Sequence, residues 1–128
     1  MVQNYQMFEL VEKDDHRGIY IGEADNGPVI VDLHDASKTM TWDEAKEYAQ
    51  KEGKRLPSQR ELMLMFAQQE KLNAALEEHE GKAWERGWYW SSSEYTNYGA
   101  WEVTANNGLV GWHTKHYYTG YVRCVLAF

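Results

Sequence analysis

The chain has 128 residues, of which 43% are hydrophobic and 26% charged, with a formal net charge of −7. This is the composition of an ordinary globular domain, long enough for one core with a helical and a sheet layer. The acidic balance argues against nucleic acid, whose phosphates need a basic face, and disfavours anionic membranes and sulfated glycans as unassisted partners.

The start, Met1 to Gln6, has neither the basic residues nor the apolar run of a signal peptide, so the expected location is the cytoplasm. No stretch reaches the roughly 18 apolar residues of a membrane helix, so no membrane insertion is expected. A short apolar run, Phe8–Val11, precedes the charged turn Glu12–Arg17. Asp14, Asp15 and His16 are adjacent and do not converge on one ion, so this is read as a solvated turn. The β-rich runs Gly18–Gly22 and Pro28–Val31 flank Asp25-Asn26-Gly27 and predict a hairpin, since Asn-Gly accepts the positive φ of a tight turn.

Thr41-Trp42-Asp43-Glu44 is a capping box that opens a helix running to about Lys51 and stopping at Gly53. Trp42, Ala45, Tyr48 and Ala49 make its apolar stripe, which places Trp42 in the core. Ser58 and Glu61 repeat the device after Pro57, with Leu62, Met65, Phe66 and Gln69 on the buried side. A third helical piece spans Lys71 to about His79 and ends at Gly81. Its acidic end, Glu77–Glu80, reads as a solvated face.

Beyond Trp84 the pattern changes to alternation. Eleven of the 18 aromatic residues fall between Trp88 and Phe128, more apolar ring area than any other segment offers a core. Trp101, Val103 and Ala105 share one strand face, Asn106-Asn107-Gly108 predicts a second hairpin, and Val110 and Trp112 lie on the return strand. A polar and aromatic loop, His113–Gly120, leads to a last strand, Tyr121–Phe128, with Val122, Cys124, Leu126 and Phe128 on one side. Cys124, the sole cysteine, excludes an internal disulfide and a cysteine zinc site and reads as a buried, inert thiol.

The ordered set Thr41-Trp42-Asp43-Glu44-Ala45, Arg55-Leu56-Pro57-Ser58 with Glu61-Leu62, Asn73-Ala74-Ala75-Leu76, Tyr89-Trp90-Ser91-Ser92-Ser93-Glu94-Tyr95, Ala100-Trp101 with Val103, Asn107-Gly108, and Tyr121-Val122-Arg123 with Val125 resembles the Lcl C-terminal domain family. That family is named for the end domain of a bacterial collagen-like adhesin. The resemblance covers about residues 39–128, with 1–38 as N-terminal strands of the same single domain. It implies an α+β, C-type-lectin-like fold: a small twisted antiparallel sheet with two main helices and a long loop region. It also implies a non-enzymatic ligand-binding or adhesion module, associated with phage, prophage tails or surface assemblies. Retroelement-diversified binders and the formylglycine-generating enzymes share the fold. The calcium motifs and paired cysteines of animal lectins are missing here, as is the cysteine pair of the formylglycine enzymes. No metal, cofactor or catalysis is therefore expected.

Ser91, Ser92 and Ser93 lack the Gly-x-Ser-x-Gly setting and a placed base; their hydroxyls are read as satisfying backbone groups at a strand bend. Arg123, on an apolar strand, needs a carboxylate, and a structural ion pair with Glu94 is expected. His113 and His116 have the wrong spacing for a metal site on a strand. The expected recognition surface comprises Tyr95, Asn97, Tyr98, Trp112, His113, Lys115, His116, Tyr117, Tyr118 and Thr119. Tyr and Trp offer broad, rigid contact with a polar handle. The expected partner is a glycan or a host-surface protein. The alternative is that the same aromatics form an oligomer interface, in a structural subunit of a virion or surface assembly.

Overall fold

The computed structural model describes residues 4–126. Asp14 and Asp15 both take positive φ, 50° and 69°, a conformation aspartate tolerates, and so close a hairpin between β1 (Leu10–Lys13) and β2 (His16–Ala24). The Asp25-Asn26 turn then returns the chain into β3 (Gly27–Asp32), with Ala24 opposite Gly27. The predicted N-terminal hairpin is therefore present and has a third strand beside it.

Both capping boxes form. Thr41 Oγ1 accepts from the Glu44 N–H at 3.3 Å and Glu44 Oε1 accepts from the Thr41 N–H at 2.9 Å, opening α1 (Trp42–Lys51). Gly53, at φ 71°, ends that helix before β4 (Lys54–Arg55). Ser58 and Glu61 make the same reciprocal bonds at 3.2 and 2.8 Å, opening α2 (Gln59–Ala67). Gln68, at φ −118° and ψ 20°, breaks the helical course, and α3 (Gln69–Glu78) starts directly after it. Gln69 therefore belongs to the third helix, which begins two residues before Lys71.

Then follow β5 (Trp88–Glu94), β6 (Gly99–Thr104), β7 (Val110–Thr114) and β8 (Val125–Leu126). The described residues form an α+β architecture with three helices and two antiparallel sheets, ordered β1-β2-β3-β8-β4 and β5-β6-β7. The strands between Trp88 and Thr114 thus build a sheet of their own. Its hairpin turns at Asn106-Asn107-Gly108, with Trp101 opposite Trp112 and Val103 opposite Val110. Gly108 has φ +71°, and a Cβ there would lie 2.5 Å from the Phe66 ring, so both backbone and space require glycine.

The main core joins the sheets through the helices: Ile19, Val31 and Val125 meet Leu62, Met65, Leu72 and Leu76, then Tyr89 and Val103. A second cluster gathers Trp42, Ala45, Leu56, Trp90, Val122 and Cys124. Both indoles there are anchored, Trp42 Nε1 donating to the Ser91 carbonyl and Trp90 Nε1 to the Met40 carbonyl, each at 2.8 Å. A buried ring removes about 150–250 Å² from water, worth roughly 4–6 kcal/mol as an upper bound.

The expected eight-residue terminal strand is a correction. Among its described residues only Val125–Leu126 is regular strand, and Tyr121 makes a single bridge to Tyr89. The reason is topological: this segment leaves the β5 edge and crosses to lie between β3 and β4. Val122 and Cys124 still share a cluster, while Val125 enters the main core and Leu126 packs with Val11, Tyr20 and Ile30. Phe128 lies outside the described residues. Among the described residues no helix is long and apolar enough to cross a membrane.

Candidate binding surface

The β5 strand shifts register between Trp90 and Glu94, and the serines hold that shift. Ser91 Oγ donates to the Trp101 carbonyl at 2.8 Å and accepts from the Ser93 N–H at 3.0 Å; Ser93 Oγ accepts from the Gln59 N–H at 3.0 Å. These two hydroxyls are occupied by backbone, as the sequence predicted. The shift turns Glu94 and Tyr95 outward into a turn that Thr96 locks, its Oγ1 accepting from the N–H groups of Tyr98 and Gly99 at 3.1 Å each. Asn97 is exposed at this turn and Tyr98 is 73% exposed.

Alternation along β6 and β7 divides the aromatics between two faces. On one face Tyr95 stacks on Trp112 with ring centroids 4.8 Å apart and planes at 25°, and meets Trp101 edge-on at 4.9 Å. Trp112 lies against Gly99, where a Cβ would come within 2.7 Å of its ring, and is itself 45% exposed. On the opposite face His113 stacks on Trp88 at 4.2 Å and 7°, with Tyr118 tilted against it at 4.8 Å. The single recognition surface expected from the sequence is therefore two surfaces, separated by the thickness of the sheet.

The strand β7 extends through His113 and Thr114, which the sequence placed in a loop. The loop proper is pinned where it leaves and returns: the Trp42 N–H donates to the Lys115 carbonyl at 3.1 Å, and Gly120 and Met40 exchange bonds at 2.8 and 3.0 Å. Between these anchors His116, Tyr117, Tyr118 and Thr119 are exposed, Tyr117 at 84%. His116 pairs with Asp43 on α1. Lys115, expected at the recognition surface, is a correction: it is buried, its ammonium 4.4 Å from the Trp42 ring centroid and paired with Glu94.

The Glu94–Arg123 pair is a second correction. Arg123 is 1% exposed and donates from Nε to Asp35 Oδ1 at 2.6 Å, from Nη1 to the Asp32 carbonyl at 3.0 Å and from Nη2 to the Lys82 carbonyl at 2.7 Å. The strand shift sends Glu94 outward instead, where the Lys115 ammonium lowers its carboxyl pKa. Asp35 also accepts from the Tyr89 hydroxyl at 2.6 Å, and burial followed by the Asp35 charge raises the Tyr89 phenol well above its ordinary range. Asp35 could not be singled out in the sequence because it lies 88 residues from Arg123.

Among the described residues two carboxylates are buried, Glu61 and Glu102. Glu61 receives both Arg55 Nη groups, at 2.6 and 2.7 Å; burial would raise its pKa, and the Arg55 and Ser58 bonds outweigh that and lower it. Glu102 pairs with His113, yet burial still raises its carboxyl pKa. Among the described residues no group of three or more His, Cys, Asp or Glu is placed to hold a metal ion. A cleft of about 240 Å³ lies elsewhere, lined by Gln69, Asn73, Trp84 and Arg86 among others. Trp84 donates to two of those walls, from its backbone N–H to Asn73 Oδ1 at 3.3 Å and from Nε1 to Gln69 Oε1 at 3.2 Å.

The family model for the Lcl C-terminal domain matches residues 13–126. The chain belongs to the Lcl C-terminal domain family. The match takes in the N-terminal hairpin as well as the region from residue 39 onward. Among curated proteins no match is found. In this Lcl C-terminal domain the residues that carry the resemblance are mostly scaffold: the two capping boxes, the Arg55–Glu61 fork, the Ser91–Ser93 bend and the Arg123 anchor. The aromatic faces stand on that scaffold. Trp101 and Trp88, which complete the two stacks, were absent from the expected surface. Trp101 was within reach, because the hairpin register sets it opposite Trp112.

Proposed function

We propose that this Lcl C-terminal domain is a non-enzymatic ligand-binding module of C-type-lectin-like fold that recognises a glycan through its exposed aromatic faces. Support for the fold comes from the loop-in-a-loop course of the chain: the strands nearest its two ends share one sheet, and a second sheet carries the outer turns. The observation that carries the function is the Tyr95–Trp112 stack. Two half-exposed rings are held in place, Trp112 by strand β7 with Gly99 beneath it and Tyr95 by the turn that Thr96 locks, which gives a flat apolar surface with little entropy left to lose on binding. Pyranose rings present C–H faces that pack on such a surface. The charge of −7 favours uncharged sugars over sulfated ones.

Tyr117 and Tyr118, on the other side, form a second contact region on an anchored loop. Attachment to a phage tail or another multivalent assembly would raise a weak single-site affinity through effective concentration. A glycan and host-surface array, read with the unaltered chain, Trp112→Ala, and the double variant Tyr117→Ala, Tyr118→Ala, tests this reading. Loss of glycan binding of about tenfold or more is expected in Trp112→Ala. Signal only on protein ligands would replace the glycan, and equal binding by all three chains would remove the proposal.

A further inference from the structure

The strand β7 closes the three-stranded sheet, and among the described residues nothing pairs with its outer edge. The Thr104 N–H donates to the Leu109 carbonyl and the Lys115 N–H to the Tyr98 carbonyl. Alternation then directs Gly111 and His113 toward β6 and leaves the N–H and C=O groups of Val110, Trp112 and Thr114 pointing away from the sheet. The other edges are closed or blunted. β5 is covered by Tyr121, which bonds the backbone of both Trp88 and Trp90, and by Pro57, whose carbonyl accepts from Ser92. β1 carries Glu12 and Lys13, and β4 is two residues long and both are basic. Among the described strands only β7, Val110-Gly111-Trp112-His113-Thr114, combines a free edge with no gatekeeping lysine, aspartate, glutamate or proline.

We infer that β7 pairs antiparallel with β7 of a second copy, joining two three-stranded sheets into one continuous sheet across a twofold axis at Trp112. An edge row of backbone donors and acceptors takes an extended strand, and β7 is complementary to itself. With the twofold at Trp112, Trp112 faces Trp112 of the second copy and Val110 faces Thr114, each facing pair exchanging both backbone bonds. No charge is set against a like charge, because the one titratable side chain of the strand, His113, points to the other face and is tied to Glu102. The same axis extends the Trp101–Trp112 pair into a row of four indoles on one side of the joined sheet. The pairing accounts for the exposure of Val110, which the glycan reading leaves unused, and stands independently of that reading.

Sedimentation of the full chain as a function of concentration tests the pairing. A concentration-dependent dimer is expected, present well below about 100 μM. Val110→Lys supplies the missing gatekeeper, and Val110→Pro removes one outward donor at the first residue of an edge strand, where proline is tolerated. Both variants are expected to weaken the dimer by about tenfold or more in Kd while far-UV circular dichroism stays that of the unaltered chain. Amide exchange on the unaltered chain gives an independent readout: protection at Trp112 and Thr114 rises with concentration, and protection at Gly111 and His113 does not. A chain that stays monomeric throughout, or a dimer with no rise in protection at Trp112 and Thr114, overturns the inference. In the first case the edge is left to a strand of a different protein.

Discussion

Arg123 and Asp35 meet at 2.6 Å although 88 residues separate them, and the contact fastens the crossing segment to the loop after β3. The guanidinium is buried, and its remaining donors end on two carbonyls, so it has no route to water. Removing the carboxylate strands a desolvated charge. Asp35→Ala is therefore expected to cost about 3–5 kcal/mol in urea unfolding. Glu94→Ala leaves Arg123 fully partnered and is expected to cost far less. Equal losses in the two variants would restore the Glu94 pairing inferred from sequence.

Glu61 makes stability pH-dependent with a definite sign. Its folded pKa is lowered below the ordinary 4.5, so its contribution is full above that value and is lost as pH falls through the folded pKa. Glu61→Gln is expected to lower Tm near neutral pH and to flatten the acid limb between about pH 5 and 3. Glu102, whose pKa is raised, works in the other direction: its contribution is present at low pH and fades as pH rises through the raised value. Thermal melts of Glu61→Gln and Glu102→Gln across this range give slopes that change oppositely.

Cys124 is buried beside Asp32, and burial, then that charge, pushes its thiol up to about 12. The nucleophilic thiolate is therefore scarce at pH 8. Native protein is expected to resist iodoacetamide for hours, with full labelling once urea unfolds it. Rapid native labelling would contradict both the burial and the inert role.

Gly99 supports the Tyr95–Trp112 stack by lacking a Cβ. Gly99→Ala places a methyl within van der Waals overlap of the indole, which is expected to cost about 1–3 kcal/mol and to tilt Trp112 out of the stack. Near-UV circular dichroism reads the tilt directly. An unchanged aromatic band would mean that the stack does not depend on this close approach.

Much of the architecture is written locally. Thr41 with Glu44, and Ser58 with Glu61, announce two helix starts because each pair satisfies orphan backbone donors within four residues. Asn26-Gly27 and Asn107-Gly108 announce hairpins for an equally local reason, and the serine bend was legible from short polar side chains beside a strand. What the chain's order left open were meetings that local chemistry does not encode. The pairing of Arg123 with Asp35, the inward turn of Lys115 onto Trp42 and the crossing of the last segment between sheets all depend on which elements become neighbours. The division of the aromatics into two faces lies between these cases: alternation implied it, but only once Trp112, His113 and Thr114 were known to be one strand. Local chemistry set the helix caps and the turns, since those follow from contacts a few residues apart, and composition set the apolar ring area there was to bury. Which rings stayed outside, and which strand edge stayed bare, was decided by the packing of the two sheets against the helices, because burial is a property of distant segments brought together.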